Sequence, residues 1–268
     1  MAYIKEYWID KEKRATKAKR HTCEMYDEYL QEISYSVVNT IRYDEAFSRE
    51  LPLFKINNGP TVNIESSDVA SSVFKHSFDY KTAVLNFSSY KNPGGMFLKG
   101  SKAQEECICH ESFLYNVLKE KQKEFYDENR KYINKALYLN RALYSPGIIF
   151  KRKDKTAKAG VITCAAPNKS AAQNYYSVSD AENLIALKSR IKYIFDIAED
   201  NDIECLILGA YGCGVFGQNP QEVAEVFKET IDLYKNSRCL KKIIFAIPKG
   251  KDNNLKTFQK VFKNDLTK

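Results

Sequence analysis

No run in this chain approaches the ~18 consecutive apolar residues of a membrane span, and the opening MAYIKEYWIDKEKR lacks the apolar stretch of an export signal. Histidine is scarce. The three present, His21, His76 and His110, fall in no nucleophile-activating pattern, so a Ser-His or Cys-His hydrolase is not expected. Seven cysteines, an odd number scattered along the chain, do not form a disulfide framework and suit a reducing, cytoplasmic setting. Cys107, Cys109 and His110 crowd together, but on a helix positions 107 and 109 point about 200° apart, and the ligand spacings of zinc modules are missing. No metal or cofactor is expected. No glycine loop ends in Gly-Lys-Ser/Thr and no dinucleotide fingerprint follows the first strand candidate, which disfavours P-loop kinases and Rossmann dehydrogenases. Nor does any repeat or Pro/Gly/Ser-rich linker divide the sequence.

Hydrophobic residues make up 44% and aromatics 13%, enough to close a sizeable core. The net charge of +8 attracts polyanions at long range without committing to one. Basic clusters at 11–20 and 151–158 read as a solvated helix face and a solvated loop; with no recognisable reading motif, specific nucleic-acid binding is not expected. We read residues 1–55 as an N-terminal helical extension, helical over 16–33 and packed on a main domain of residues 56–268. From about residue 60, short β-branched runs alternate with longer periodic segments, the pattern of an α/β layered fold. Strands are expected at 61–64, 83–87, 143–150, 160–165, 203–208 and 242–247. From Asp180, Leu184, Leu187, Ile191, Ile194 and Phe195 recur at helical spacing. Asn219-Pro220 predicts a sharp helix start, with Glu222 completing a capping-box-like arrangement.

Two stretches carry chemistry. In AVLNFSSYKNPGGMFLKGSKAQEECICHESFLY (83–115), a strand feeds a glycine loop, and a helix expected to start near Ser101 carries Gln104, Glu105 and Glu106 in its first turns. Helix capping alone can account for one of these carboxylates. Adjacent Gly94 and Gly95, which let backbone approach a ligand, point beyond that to a sugar or nucleotide site. In CLILGAYGCGVFGQNP (205–220), an apolar strand, a glycine-rich loop and a capped helix make an anion site suited to diphosphate. There Gly214 is expected to need glycine's backbone freedom, and Cys213 lies where a helix N-terminus could lower a thiol pKa, although a small tolerated side chain explains it as well.

Together these stretches resemble the bacterial-type poly(ADP-ribose) glycohydrolases of the macrodomain superfamily, whose signature is a triple glycine followed six to eight residues later by Gln-Glu-Glu. Here Gly94-Gly95-Met96 precedes Gln104-Glu105-Glu106 by seven residues, and YSPG (144–147), ITCAAPN (162–168) and LGAYGCGVFG (208–217) extend the likeness. Met96 replaces the third glycine. The resemblance implies a three-layer macrodomain-like fold, with a mixed central sheet flanked by helices. It implies hydrolysis of poly(ADP-ribose) at ribose–ribose bonds to release ADP-ribose, with Glu106 as general acid/base and Glu105 contacting ribose. Gln104 would orient the pair and Gly94 and Gly95 would line the distal ribose. Gly212, Cys213, Gly214, Val215 and Phe216 would wrap the diphosphate, with Phe216 also stacking on the ribose, and adenine would bind near residues 65–68. ADP-ribosylated protein is an alternative substrate. Removal of a single ADP-ribose from protein or nucleic acid, and non-catalytic reading of ADP-ribose, are the rival functions.

Overall fold

The computed structural model describes residues 10–50, 59–250 and 252–263. Its centre is a mixed sheet of seven strands: β1 (Ile41–Tyr43), β2 (Thr61–Glu65), β3 (Thr82–Phe87), β4 (Ala142–Arg152), β5 (Lys155–Cys164), β6 (Cys205–Leu208) and β7 (Lys242–Ala246), in the order β1-β4-β5-β3-β6-β7-β2. β3 lies in the middle, parallel to both neighbours, with Ala83 opposite Gly160 of β5 and Leu206 of β6. Covered on both faces, it reads as an apolar run rather than an alternating one. β1, within the segment expected to be an extension, pairs antiparallel with β4 at the sheet edge.

Helices cover both faces. Ala83 and Leu85 pack with α8 (Asp180–Asp200), α9 (Pro220–Leu233) and α10 (Asn254–Val261). Val84 faces the other way, toward α1 (Lys11–Glu28), α2 (Leu30–Val38), α3 (Val69–His76), α4 (Gln104–Glu111) and α5 (Leu114–Glu120). Two short helices, α6 (Asp127–Lys131) and α7 (Lys169–Tyr176), complete the set among the described residues. No helix among the described residues is long and apolar enough to cross a membrane.

All six expected strands form, with shifted ends. The basic cluster at 151–158, expected as a loop, is instead the tip and flanks of the β4–β5 hairpin: Arg152 pairs with Lys155, and Lys153 turns the chain with φ +56°. Arg152 is also not simply solvated, since it bridges Glu111 and Asp68 at 2.8 and 2.9 Å. The helix expected over 16–33 is two helices that meet at Tyr29, where φ/ψ of −127°/32° ends the first. Leu187, Ile191, Ile194 and Phe195 are fully buried along α8, while Leu184 is half-buried. Asn219 caps α9 by accepting from the N–H groups of Gln221 and Glu222. Glu222 reaches toward Lys169 at 3.7 Å. The reciprocal capping box occurs at Ser179 and Glu182, at the start of α8.

Candidate active site

The chain leaves β3 toward α4 on one face of the sheet and leaves the adjacent parallel strand β6 toward α9 on the other. Where neighbouring strands send their connections to opposite faces, a crevice opens beyond their carboxyl ends, and ligands of open α/β sheets bind there. Both glycine-rich stretches fall at this point.

The helix carrying the acidic pair begins at Gln104 rather than near Ser101, because a 3-10 turn (Phe97–Lys99) and Gly100, at φ +76°, occupy the approach. Gln104 fixes the helix to the sheet. Its side-chain amide donates to the Leu85 carbonyl at 2.7 Å and accepts from the Phe87 N–H at 2.8 Å, so it continues the edge of β3 as a strand residue would. Glu105 and Glu106 follow in the first turn, both almost fully buried.

The two carboxylates are held differently. Glu105 accepts from the Asn86 amide at 3.2 Å on one oxygen and from the Ser89 N–H at 2.7 Å on the other. Burial pushes its pKa up to about 8, against the pull of the Ser89, Asn86 and Gly94 donors and with a further push from Glu106. Glu106 accepts from the Met96 N–H at 2.9 Å through Oε1, while its buried Oε2 has no hydrogen-bond partner among the described residues. Both carboxylates press on Gly95: a Cβ there would lie 2.6 Å from Glu106 Oε1 and 2.9 Å from Glu105 Oε2, and the backbone has φ +59°. Gly94 is held against the Tyr115 ring in the same way. Met96, in the third-glycine position, has φ −112°, open to any residue, and its side chain is partly exposed.

The second loop follows β6. Its floor is Tyr211, buried, edge-on to Phe87 at 5.4 Å and donating to the Cys164 carbonyl at 3.0 Å. The glycine constraint expected at Gly214 lies elsewhere: a Cβ at Gly214 would meet nothing within 4 Å, whereas Gly212 has φ +75° and sits against Gln218 and Ala166. Burial drives the Cys213 thiol up to about 12, the reverse of helix-terminus activation. Val215 is exposed, and Phe216 is partly buried with its ring tilted 6.2 Å from Tyr138, which stacks on Tyr90 at 4.2 Å.

The two carboxylates in the stretch expected to meet adenine are engaged. Glu65 is bound by Lys75, His76 and Ser72, which together outweigh its burial and bring its pKa down to about 2. Asp68 caps α3 and pairs with Arg152. A cavity of about 320 Å³ lies away from the carboxylates, lined by Arg42, Glu45, Asn129, Tyr132 and Arg141 among others, and neither glycine loop borders it. No cluster of three potential metal ligands occurs among the described residues.

Asn86 is the site contact that the sequence reading missed. A polar residue inside the apolar run AVLNF was the available signal; buried, it donates to Glu105 and to Thr163 Oγ1. Ser89 acts through its backbone N–H, which leaves no mark in sequence.

Residues 8–153 match the family model described as microbial-type PARG, catalytic domain. The crystal structure of poly(ADP-ribose) glycohydrolase (PARG) from Thermomonospora curvata superposes with a TM-score of 0.81 at 23% identity, covering 94% of this chain and 100% of that one. The same enzyme bound to the inhibitor ADP-HPD gives 0.80 at 23% identity, over 93% and 99%. The Deinococcus radiodurans PARG in complex with ADP-ribose gives 0.78 at 26% identity, over 87% and 98%. No curated protein matches the sequence. A family match across more than half of the residues, on a fold shared over nearly all of them, makes this chain a member of the microbial-type poly(ADP-ribose) glycohydrolase family.

Proposed function

We propose that the chain hydrolyses the ribose–ribose O-glycosidic bonds of poly(ADP-ribose) to release ADP-ribose, with Glu106 as general acid and base. The observation that carries the assignment is the asymmetry of Glu106: one oxygen is anchored by a backbone N–H, and the other is buried without a partner among the described residues. An orphaned carboxylate oxygen is costly unless it has work to do. As the bond to the leaving oxygen lengthens toward an oxocarbenium-like state, Glu106 gives that oxygen its proton. The resulting carboxylate then takes a proton from the water that adds to the anomeric carbon. One water is consumed, and each product gains a hydroxyl.

Glu105, engaged on both oxygens, is assigned to ribose recognition, with Gln104 orienting the pair and Gly94 and Gly95 letting backbone come close to the distal ribose. Gly212 to Phe216 are assigned to the diphosphate, at a crevice whose α9 N-terminus favours negative charge. That the D. radiodurans enzyme binds ADP-ribose supports this reading. The helices at residues 11–38 are assigned to the same catalytic unit, and ADP-ribosylated protein remains a substrate to be tested.

Glu106→Gln keeps size and hydrogen bonding but transfers no proton. It is expected to lower polymer turnover by at least ~10²-fold while ADP-ribose binds within about tenfold of wild type. Product release from polymer and from mono-modified protein, alongside calorimetric titration of ADP-ribose, checks this; wild-type turnover in the variant refutes the mechanism.

A further inference from the structure

We infer that Arg14, on the N-terminal helix, is a positioning residue for Glu106; the inference rests on the acid/base reading of Glu106. α1 is strongly charged, yet Arg14 is buried, with Ala18 and Met25 on the same inward face. The Arg14 Nε–H donates to the Gly100 carbonyl at 2.7 Å. Helix and loop are in contact here: a Cβ on Gly100 would overlap the Lys11 carbonyl and lie 3.0 Å from the Ala15 nitrogen.

From Gly100 the connection to the carboxylate is short and made of backbone. Gly100 N–H donates to Phe97 O, and the N–H groups of Lys99 and Ser101 both donate to Met96 O, so the 3-10 turn is one hydrogen-bonded unit from 96 to 101. The N–H of Met96, at the head of that unit, holds Glu106 Oε1. Phe97 is buried inside the turn, edge-on to His110 at 4.7 Å, so the unit cannot slide without unpacking a ring. α1 is tied down further along by His21 to the Ser112 carbonyl and by the Asn116 amide to the Thr22 carbonyl. Arg14 thus links a rigidly docked helix to the turn that aims Glu106, and a guanidinium-to-carbonyl hydrogen bond is of the strong, charge-assisted kind.

Arg14→Met removes the donor and keeps an apolar stem, while Arg14→Lys restores a donor of similar reach. In the full-length chain, the methionine variant is expected to lose at least ~10-fold in kcat on poly(ADP-ribose), with the Kd for ADP-ribose changed less than about threefold; the lysine variant is expected to recover most of the loss. A helix that merely stabilised the fold would not separate kcat from Kd, nor be rescued by a donor. Should the methionine variant fail to fold, Arg14→Leu, which likewise has no donor, replaces it and is expected to show the same split. Wild-type kcat in the folded variant, or a parallel loss of ADP-ribose binding, overturns the inference. Glu106→Gln run beside it separates the two questions: an active Glu106→Gln overturns the acid/base reading, whereas an inactive Glu106→Gln with a fully active Arg14 variant overturns only the role of Arg14.

Discussion

Gly95→Ala separates the stability of this site from its geometry. The added methyl enters a backbone with φ +59°, where a non-glycine residue costs about 1–2 kcal/mol. It would also lie 2.6 Å from Glu106 Oε1 and 2.9 Å from Glu105 Oε2, inside the ~3.4 Å at which ordinary contact begins. Both atoms are the ends of flexible side chains, so the carboxylates can retreat and the steric part of the stability cost stays small. The retreat itself, roughly 0.5–1 Å, is in the range where misplacing a reacting group costs about 10²-fold in rate. At about 2–4 °C per kcal/mol, Tm should fall by only about 2–8 °C. Turnover of poly(ADP-ribose) measured well below Tm should fall by ~10²-fold. Calorimetric ADP-ribose titration and a thermal melt accompany the assay. Wild-type turnover, or a melt that collapses while the surviving folded protein is fully active, would refute the claim that both carboxylates are aimed past Gly95.

The remaining predictions concern charge and the second loop. Glu105 holds its proton more tightly folded, near 8, than at its ordinary value of 4.5, so the stability it contributes is fully present below about 4.5 and is lost as pH rises through about 8. Tm should therefore decline between about pH 5 and 9, and Glu105→Gln should flatten that decline; an unchanged slope sinks the assignment. Gly214→Ala should leave Tm within about 1 °C of wild type, since the methyl meets nothing, whereas Gly212→Ala, at φ +75° and 2.8 Å from Gln218, should lower it clearly. Equal melts would remove the structural distinction between these two glycines.

Much of this architecture was legible because burial leaves a periodic trace. The stripe Leu187, Ile191, Ile194 and Phe195 announced α8, Asn219-Pro220 announced the start of α9, and the apolar runs announced the inner strands. The losses have physical reasons. β1 has three residues, too few for any period, and forms only because β4 offers an edge. α4 begins at Gln104 because the 3-10 turn at Phe97–Lys99 uses the residues that a helix from Ser101 would need to follow freely. The burial of Arg14 was invisible because a charge on a charged helix reads as solvent-facing; what buries it is Gly100, 86 residues away. Within the candidate site, Gln104-Glu105-Glu106 and the two glycines could be named from sequence. Which oxygen is clamped and which is left over depends on the N–H groups of Ser89 and Met96, and backbone donors have no residue signature.

The order of strands in the sheet sets the order in which this molecule can be assembled from its growing chain. The hydrogen bonds made directly to Gln104, Glu105 and Glu106 come from residues 85–96, within about twenty residues of them, so that constellation is cheap to close in loop entropy. The strand on which it rests is different: β3 is flanked by β5 and β6, made about 80 and 120 residues later, and β2 waits for β7, about 180 residues on. A ribosome that has released residue 120 has therefore supplied the entire acidic constellation and neither of the strands that will hold it still.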